Sequence, residues 1–526
     1  MPAFNINWPA LFTQAHSFIH EFGYIRFLAT LLGLQMAWKL TYAFFLSRLH
    51  NIPGPPLSRI TDKRAIYNRA PTRVIKAAIA DFEKYGDIYV SKPNTVCITN
   101  PSDIRAVLGS PEFRKIDIYR DLNDPYMANI VTFSEPSLAS RRKRLIGPYF
   151  NHGYLSKMEP LVLRNGIQAI KAKWDGLIAE NGGKPIEINY RHDLQLATFD
   201  IMSALAFGRE FNSLANNNST IVNWIAATAV YVGVRINFNL LTSFPFSLLI
   251  RPWLKMHSDF VEFGKESVAL RKEFLAQSTE GKPSDLLQAF IDAEDPESKI
   301  KMTPLEVQAE SVGMQLAGSE TTSTSLTWIL HLLTLYPQYL RRAVEEVRSQ
   351  FPLDHLITYN ECRTQLPYLE AFIYEVLRYS PITSGFMPRI SYTKGITIQG
   401  HYIPPGVEIA FNLCAINVRK DLWDEPHRFN PDRFMNNEEA KRNVFAFSYG
   451  PRICLGRNLA WVEMLTIAAN LLKDYDISLP EDNIFGPHNV DGNGVPKLMP
   501  SKCHIVFAPT HPDRDCRLII SKRIAA

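Results

Sequence analysis

The stretch from residue 447 to residue 456 contains residues whose types and spacing suggest chemistry. It reads F-x-x-G-x-R-x-C-x-G, and its fixed residues are Phe447, Gly450, Arg452, Cys454 and Gly456. A cysteine thiolate is an axial ligand of haem iron in proteins. Glycines let the backbone approach a flat cofactor, and an arginine fork suits a propionate. A helix-like run begins at Arg457, and helix N-terminal amides stabilise negative charge on sulfur. The pattern predicts a haem site with Cys454 as the metal ligand, and the alternative is a buried, inert cysteine in a glycine-containing turn.

A second group of chemical residues lies in a predicted long helix. A capping box over Thr303 to Glu306 starts the helical pattern, and Tyr336-Pro337 ends it after about Leu335. Residues 317–322, A-G-S-E-T-T, place a glycine and polar side chains in the middle of this helix. Both lower the stability of a buried helix, so a packing or functional role is expected for them. The predicted catalytic roles are room over the iron at Gly318, proton supply by Glu320, and a hydrogen bond to an oxygen molecule or its water by Thr321. The alternative is a surface helix rich in serine and threonine, but long apolar flanks argue against it.

A third pattern is a charged pair on a helix predicted over residues 369–379. Glu375 and Arg378 are three residues apart and share one face. An exposed pair of this kind contributes only tenths of a kcal/mol, so it carries no function by itself. A further arginine, Arg433, follows downstream in F-N-P-D-R-F.

Taken together and in this order, the three patterns resemble those of the cytochrome P-450 superfamily, the haem-thiolate monooxygenases. The resemblance covers roughly residues 50 to 510. Within the superfamily, the motifs are similar to those of membrane-bound, filamentous-fungal members. It implies a mainly α fold with a smaller β-rich lobe near the N-terminus, and haem b between the long central helix and the cysteine loop. It also implies a structural triad of Glu375, Arg378 and Arg433 under that loop, with Asp432 where the family has glutamate.

The resemblance also implies basic residues that bind the haem propionates. Arg389 and Arg452 match two family positions. At a third position the family has W-x-x-x-R, whereas this chain has Ala139 for the tryptophan and Lys143 for the arginine. Arg144 or Arg142 would be the substitutes. The same basic cluster could instead be a solvated face, or part of a patch that docks an acidic reductase.

Substrate contacts in the family come from variable loops, so the resemblance gives them only by position. The expected pocket residues are Met314, Ala317, Thr383 and Phe386. A lipophilic substrate is expected, whether a steroid, terpenoid, polyketide, fatty acid or xenobiotic. The apolar run 238–250 suggests a segment that dips into a bilayer and opens an access path, and the alternative is an ordinary buried loop and helix.

Composition excludes several other classes of protein. The chain has 526 residues, 46% of them hydrophobic, and a net charge of +5, which gives no case for nucleic-acid binding. Its six cysteines are scattered and do not have zinc-ligand spacing, so neither a zinc site nor a disulfide framework is expected.

The N-terminal region is predicted to attach the protein to a membrane. We expect a lumenal segment at 1–23, a transmembrane anchor at 24–47, a proline-rich hinge at 48–60 and one catalytic domain at 61–526. Basic residues after the anchor favour a cytosolic domain on the endoplasmic reticulum membrane. A cleaved signal peptide and a helix lying on the membrane are the alternatives.

The function implied by the resemblance is insertion of one oxygen atom of O2 into a lipophilic small molecule. Electrons would come from NADPH through a reductase flavoprotein, with cytochrome b5 as a further candidate donor. The alternative is a haem-thiolate isomerase or dehydratase, or a haem-binding sensor, which would need neither the Glu320–Thr321 pair nor a reductase.

Overall fold

The computed structural model describes residues 23–122, 127–278, 281–383, 387–503 and 506–524, together with residue 13. Within these residues the helices are α1 Tyr24–Thr41, α2 Pro56–Ile60, α3 Lys63–Asn68, α4 Val74–Tyr85, α5 Pro101–Gly109, α6 Ile118–Asp121, α7 Pro136–Ile146, α8 His152–Leu163, α9 Ala169–Glu180, α10 Tyr190–Phe207, α11 Thr220–Asn237, α12 Arg251–Gln277, α13 Leu286–Asp292, α14 Pro304–Leu335, α15 Pro337–Gln350, α16 Tyr359–Gln365, α17 Pro367–Tyr379, α18 Leu413–Ile416, α19 Glu438–Arg442, α20 Arg457–Asp474 and α21 Pro512–Asp515. Short 3-10 or π-helical turns are Tyr42–Leu46, Gly147–Phe150, Arg164–Gln168, Asn239–Thr242, Phe246–Ile250, Pro431–Phe434 and Gly450–Arg452. The strands are β1 Ile88–Lys92, β2 Thr95–Ile98, β3 Arg114–Lys115, β4 Ile186–Asn189, β5 Arg389–Ile390, β6 Ile396–Ile398, β7 His401–Ile403, β8 Glu408–Phe411, β9 Tyr475–Ser478, β10 Ser501–Cys503, β11 Phe507–Pro509 and β12 Arg517–Lys522. The predicted mainly α class is confirmed.

The central helix α14 begins with the capping box that the sequence predicts. The Glu306 N–H donates to Thr303 Oγ1 at 3.2 Å, and the Thr303 N–H donates to Glu306 Oε2 at 2.8 Å. The helix ends at Leu335 because Pro337, two residues later, disfavours helical backbone before it. Residues 307–315 and 322–335 are buried, and α10 and α12 pack along them. The polar motif at 317–322 therefore lies between two buried stretches of the helix.

A five-stranded sheet brings together segments that are far apart in the chain. Its order is β1-β2-β8-β5-β3, with β2 and β8 parallel and the other neighbours antiparallel. Apolar side chains such as Val96 and Ile409 form a second core behind it. The last pairing places Arg389 of β5 opposite Lys115 of β3. The smaller β-rich lobe is thus confirmed, although it also takes strands from the second half of the chain.

The proline-rich hinge at 48–60 is bound to this sheet. The Val90 N–H donates to the Pro53 carbonyl at 2.8 Å. Gly54 has a φ of 154°, and a Cβ there would lie 2.8 Å from the Val90 carbonyl oxygen. The guanidinium of Arg59 donates to the carbonyls of Leu49 and His50.

No helix in the described ranges is both long and apolar enough to cross a membrane. Helix α1 has 18 residues and carries Arg26 and Lys39, and none of its residues is buried. The transmembrane anchor at 24–47 stays a prediction. Residues 1–22, apart from residue 13, lie outside the described ranges.

Candidate active site

The cysteine loop at 447–456 is a tight turn held by its own backbone. The Cys454 N–H donates to the Phe447 carbonyl at 2.8 Å, and the Ile453 N–H donates to Gly450 at 3.0 Å. Gly450 has a φ of +74°, and a Cβ there would collide with the Leu108 carbonyl at the end of α5. The glycine at 450 is therefore required by this contact between the loop and α5. A Cβ at Gly456 would meet no protein atom within 4 Å.

Cys454 is the one cysteine in the described chain with an exposed side chain; the other five are buried. Protein atoms surround its remaining sides, and burial raises the pKa of the thiol. The backbone N–H groups of Gly456 and Arg457, at the start of α20, bond to the sulfur and lower that pKa, as does the charge of Arg457. An accessible sulfur that faces two amides is suited to hold a negative charge as a metal ligand.

Three cations lie close together on one side of this loop, namely the buried Lys115 and Arg389 and the half-buried Arg452. They donate to backbone carbonyls, Lys115 Nζ to Val131 at 2.6 Å and Arg452 Nη2 to Phe133 at 3.0 Å. No ion pair joins any of the three to a carboxylate within the described residues. Burial first, and repulsion from neighbouring arginines second, lower the pKa of Lys115 to about 7 and that of Arg452 to about 10.

These cations fit the two carboxylates of a haem. Arg452 Nη1 is buried and has no hydrogen-bond partner in the described chain, although such groups are normally paired. Burial lowers the pKa of Arg389 as well, while Tyr119, which shares a hydrogen bond with it, opposes the shift. Anionic groups placed here would relieve the mutual repulsion. The residues present therefore fit a haem held by Cys454 and by this cluster.

The basic side chains of α7 contact different neighbours. Lys143 Nζ donates to the Pro451 carbonyl at 3.0 Å, which keeps it beside the cysteine loop. Arg144 instead donates to Asp295 at 3.1 and 3.2 Å, and Arg142 donates to Glu306 and Glu310. This placement corrects the prediction that Arg144 binds a propionate, because each step along a helix rotates a side chain by about 100°.

The polar motif at 317–322 interrupts the buried surface of α14. Ala317 is exposed and Thr321 is half-buried, so this face opens where the rest of the helix is covered. Thr321 Oγ1 donates to the Ala317 carbonyl at 2.7 Å. Glu320 faces the other way, where it accepts hydrogen bonds from Arg191 and, at 2.9 Å, from Gln195 Nε2 of α10. The hydroxyl and the carboxylate thus lie on different sides of the helix.

Gly318 has a structural role in the contact between two helices. A Cβ at this position would lie 2.7 Å from Sδ of Met202 on α10. The glycine therefore lets α10 pack against the central helix. That it also leaves room over the iron stays a prediction, and Ala317 is the small residue on the open face.

The predicted triad is assembled and almost wholly buried. Arg378 donates to both oxygens of Glu375 at 2.6 and 2.7 Å, and Arg433 Nε lies 3.4 Å from Glu375 Oε1. The remaining donors of Arg378 reach the carbonyls of Asn417 and Pro426. Because these carbonyls belong to the segment before the cysteine loop, the triad ties α17 to that segment.

Comparison with known proteins identifies the family. The sequence description of the Cytochrome P450 family matches residues 71–495. This chain belongs to the cytochrome P450 family. It is 66% identical to cytochrome P450 monooxygenase helB2 of Aspergillus fumigatus over 93% of the chain and 97% of that protein. It is also 54% identical to helB1 of the same fungus, over 97% of the chain and 88% of that protein. These relatives confirm the predicted enzyme class, a P450 monooxygenase.

The predicted substrate residues of this P450 chain differ in how far they are exposed. Met314 is buried in α14, Ala317 is exposed, and Thr383 is half-buried after α17. Phe386 lies outside the described residues. One turn before Ala317, a Cβ at Gly313 would lie 2.8 Å from Nδ2 of Asn129. Segment 127–133 therefore packs against the central helix beside the open face.

Sequence reasoning missed several residues that contact the site. They are Lys115 in the cation cluster, Arg191 and Gln195 on Glu320, and Met202 on Gly318. A conventional sequence motif marks none of them. Composition gave no signal either, because β3 consists of Arg114 and Lys115 and α10 carries other charged residues such as Asp193 and Asp200.

Proposed function

We propose that this P450 inserts one atom of O2 into a C–H bond of a lipophilic small molecule, with electrons from NADPH delivered through a reductase flavoprotein. The observation that carries the proposal is the accessible Cys454 sulfur, which faces two helix amides. Beside it lies a cluster of cations that has no carboxylate partner among the described residues. Haem held there would supply the activation of oxygen. Cytochrome b5 is proposed as a second electron donor.

The protein residues that handle protons support this reaction. Thr321 presents its hydroxyl on the open face of α14, and Glu320 lies on the neighbouring position with Arg191 and Gln195 as partners. The Glu320 side chain is 23% exposed, so it is placed to exchange protons with water on the side of α14 next to Thr321. A protein that only isomerises a substrate or senses haem has no need of this arrangement.

The test is a comparison of Thr321→Ala with Thr327→Ala. Thr327 makes the same type of bond to its own helix, Oγ1 to the Ser323 carbonyl at 2.7 Å, but is fully buried. With NADPH and reductase, Thr321→Ala should divert roughly tenfold more of the consumed NADPH into hydrogen peroxide, because a misplaced proton donor costs on the order of 10²-fold or more in rate.

The control should keep the wild-type ratio of product to NADPH. Equal ratios of product to NADPH in Thr321→Ala and wild type would remove the support for the proposed proton path.

The class of substrate is determined in a separate experiment, by screening steroids, terpenoids, polyketides, fatty acids and xenobiotics for a spin-state shift of the haem.

We further propose that the protein works on the endoplasmic reticulum membrane with its catalytic domain in the cytosol. Apolar side chains are exposed along α1, for example Ile25 at 85% and Leu34 at 63%. A second exposed set lies in the segment between α11 and α12, where Phe244 is 82% and Leu249 70% exposed. Monomeric soluble proteins rarely expose such contiguous apolar surface, and a bilayer would cover it.

A further inference from the structure

Segment 127–133 forms a wall next to the open face of the central helix. Asn129 fills the space left by Gly313, one turn from Ala317. Met127, Asn129 and Thr132 are all less than 10% exposed. The segment therefore covers the stretch of α14 that precedes the open face.

Two of the backbone carbonyls of the segment are held by the cation cluster. Lys115 Nζ donates to Val131, and Arg452 donates to Phe133. These bonds connect the segment to the cations beside the cysteine loop and not to α14.

The bond to α14 is made by a carboxylate that the reaction does not use. The Ile130 N–H donates to Glu310 Oε1 at 2.9 Å, and Arg142 Nη1 donates to the same oxygen at 2.6 Å. Glu310 is 0% exposed, and its second oxygen is buried with no hydrogen-bond partner among the residues that the structure describes. Hydrogen bonds to an ionised carboxylate are roughly twice as strong as neutral ones, so the charge of Glu310 sets the strength of this attachment.

The charged groups that face Glu310 come from two helices. Arg142 of α7 is bound to Glu310 and also, at 2.6 Å, to Glu306 of α14, which lies one turn earlier. Arg141 lies 3.8 Å from Glu306, and segment 127–133 has no titratable side chain. Burial raises the pKa of Glu310 to about 7, Arg142 opposes that shift, and Glu306 adds to it. Near neutral pH the carboxyl group is therefore present in both its charged and its neutral form.

We propose that Glu310 and Arg142 form an electrostatic latch that holds segment 127–133 against the central helix and controls the access of small ligands to the site above Cys454. The latch is closed when Glu310 is ionised and loosens when it is protonated. The proposal rests on the location of the haem site but not on the reaction performed there, so its failure would leave the oxidation chemistry untouched.

The latch is tested in the haem-loaded protein by hydrogen exchange of the backbone amides, measured by mass spectrometry and corrected for intrinsic pH effects. Exchange in peptides that cover 127–133 should be about tenfold faster at pH 6 than at pH 8, because protonation weakens the bond to the Ile130 amide. This measurement on the wild-type protein needs no substitution. Absence of any pH dependence in these peptides would overturn the proposal.

Two variants locate the effect. Glu310→Gln should exchange rapidly at 127–133 at both pH values. Asp200→Asn is the matched control, because Asp200 is a buried carboxylate that accepts from the Ser213 and Leu214 amides elsewhere. It should loosen the peptide around Ser213 and leave 127–133 unchanged. Equal loosening of 127–133 in both variants would mean a general loss of structure and would also overturn the latch.

Ligand access provides an independent measurement with carbon monoxide as the probe. After flash photolysis of the reduced carbonyl complex, the second-order rebinding rate should rise several-fold from pH 8 to pH 6 in the wild type. The rate in Glu310→Gln should be high and independent of pH. A rate that follows neither the pH nor the variant would show that the segment does not control access.

Discussion

Lys115 is a buried lysine that no carboxylate accompanies in the described chain. Its ammonium group lies beside Arg389 and Arg452, and burial with this repulsion lowers its pKa to about 7. A buried cation in such surroundings destabilises the protein unless an anion joins it. The arrangement makes sense when the propionates of a haem complete the charge balance.

We expect Lys115→Met to weaken haem retention. Removal of one cation leaves a propionate with fewer donors, so haem transfer to an excess of apomyoglobin should be faster by roughly tenfold, the effect of one hydrogen bond to a charged group. Arg144→Met is the matched control, because Arg144 is paired with Asp295 and lies outside the cluster. If haem leaves both variants at the same rate, the cluster does not bind propionates.

At the scale of elements, the contact between α10 and α14 depends on the size of one residue. Gly318→Ala should destabilise the protein by about 1–3 kcal/mol, since the added methyl group overlaps the buried side chain of Met202. The cost should fall to near zero in a Met202→Ala background, where alanine also favours the helix by about 1 kcal/mol relative to glycine. A double-mutant cycle in urea measures this coupling. Identical costs in the two backgrounds would show that Met202 is not the obstacle.

The triad joins α17 to the segment before the cysteine loop, and its contribution is structural. Glu375→Gln should destabilise the fold by about 3–5 kcal/mol, because it leaves Arg378 and Arg433 buried without a carboxylate. Asp432→Asn breaks an ion pair with Arg342 whose side chains are 49% and 47% exposed, and should cost less than about 1 kcal/mol. Thermal unfolding of the two variants checks the difference. A small shift for Glu375→Gln would mean that the loop is held by other contacts.

At the scale of the whole molecule, two exposed apolar regions are proposed to meet the bilayer. The triple variant Phe244→Ser, Phe246→Ser, Leu248→Ser should reduce flotation with liposomes in a protein that lacks residues 1–47. Leu270→Ser with Phe274→Ser is the control, because these residues of α12 are similarly exposed, at 50% and 40%, outside the segment. Unchanged flotation of the triple variant would remove the segment between α11 and α12 from the proposed membrane contact.

The residues predicted correctly from the sequence are those whose function depends on neighbours in the chain. The capping box at Thr303, the ends of α14 and the turn around Cys454 follow from local backbone chemistry. Lys115 could not be found in this way, because its neighbour Arg389 reaches it only through the pairing of β3 with β5.

Which basic residue of α7 lies beside the cysteine loop could not be predicted from the sequence. Lys143 and Arg144 are adjacent in the sequence but point to different partners, Pro451 and Asp295. Only the rotation of α7 about its axis decides between them, and packing against the rest of the protein fixes that rotation. The same holds for Met202, because its contact with Gly318 depends on how α10 and α14 pack.

The exposure of a single cysteine has a practical consequence for how the protein is handled. Before haem is inserted, Cys454 is the sulfur that an alkylating reagent or an oxidant can reach, while the other five are covered. Iron coordination would occupy the same lone pair and block that reaction. The fraction of chains labelled by a maleimide would therefore count the molecules that lack haem, and oxidation of that thiol during purification would lower the amount of protein able to accept haem.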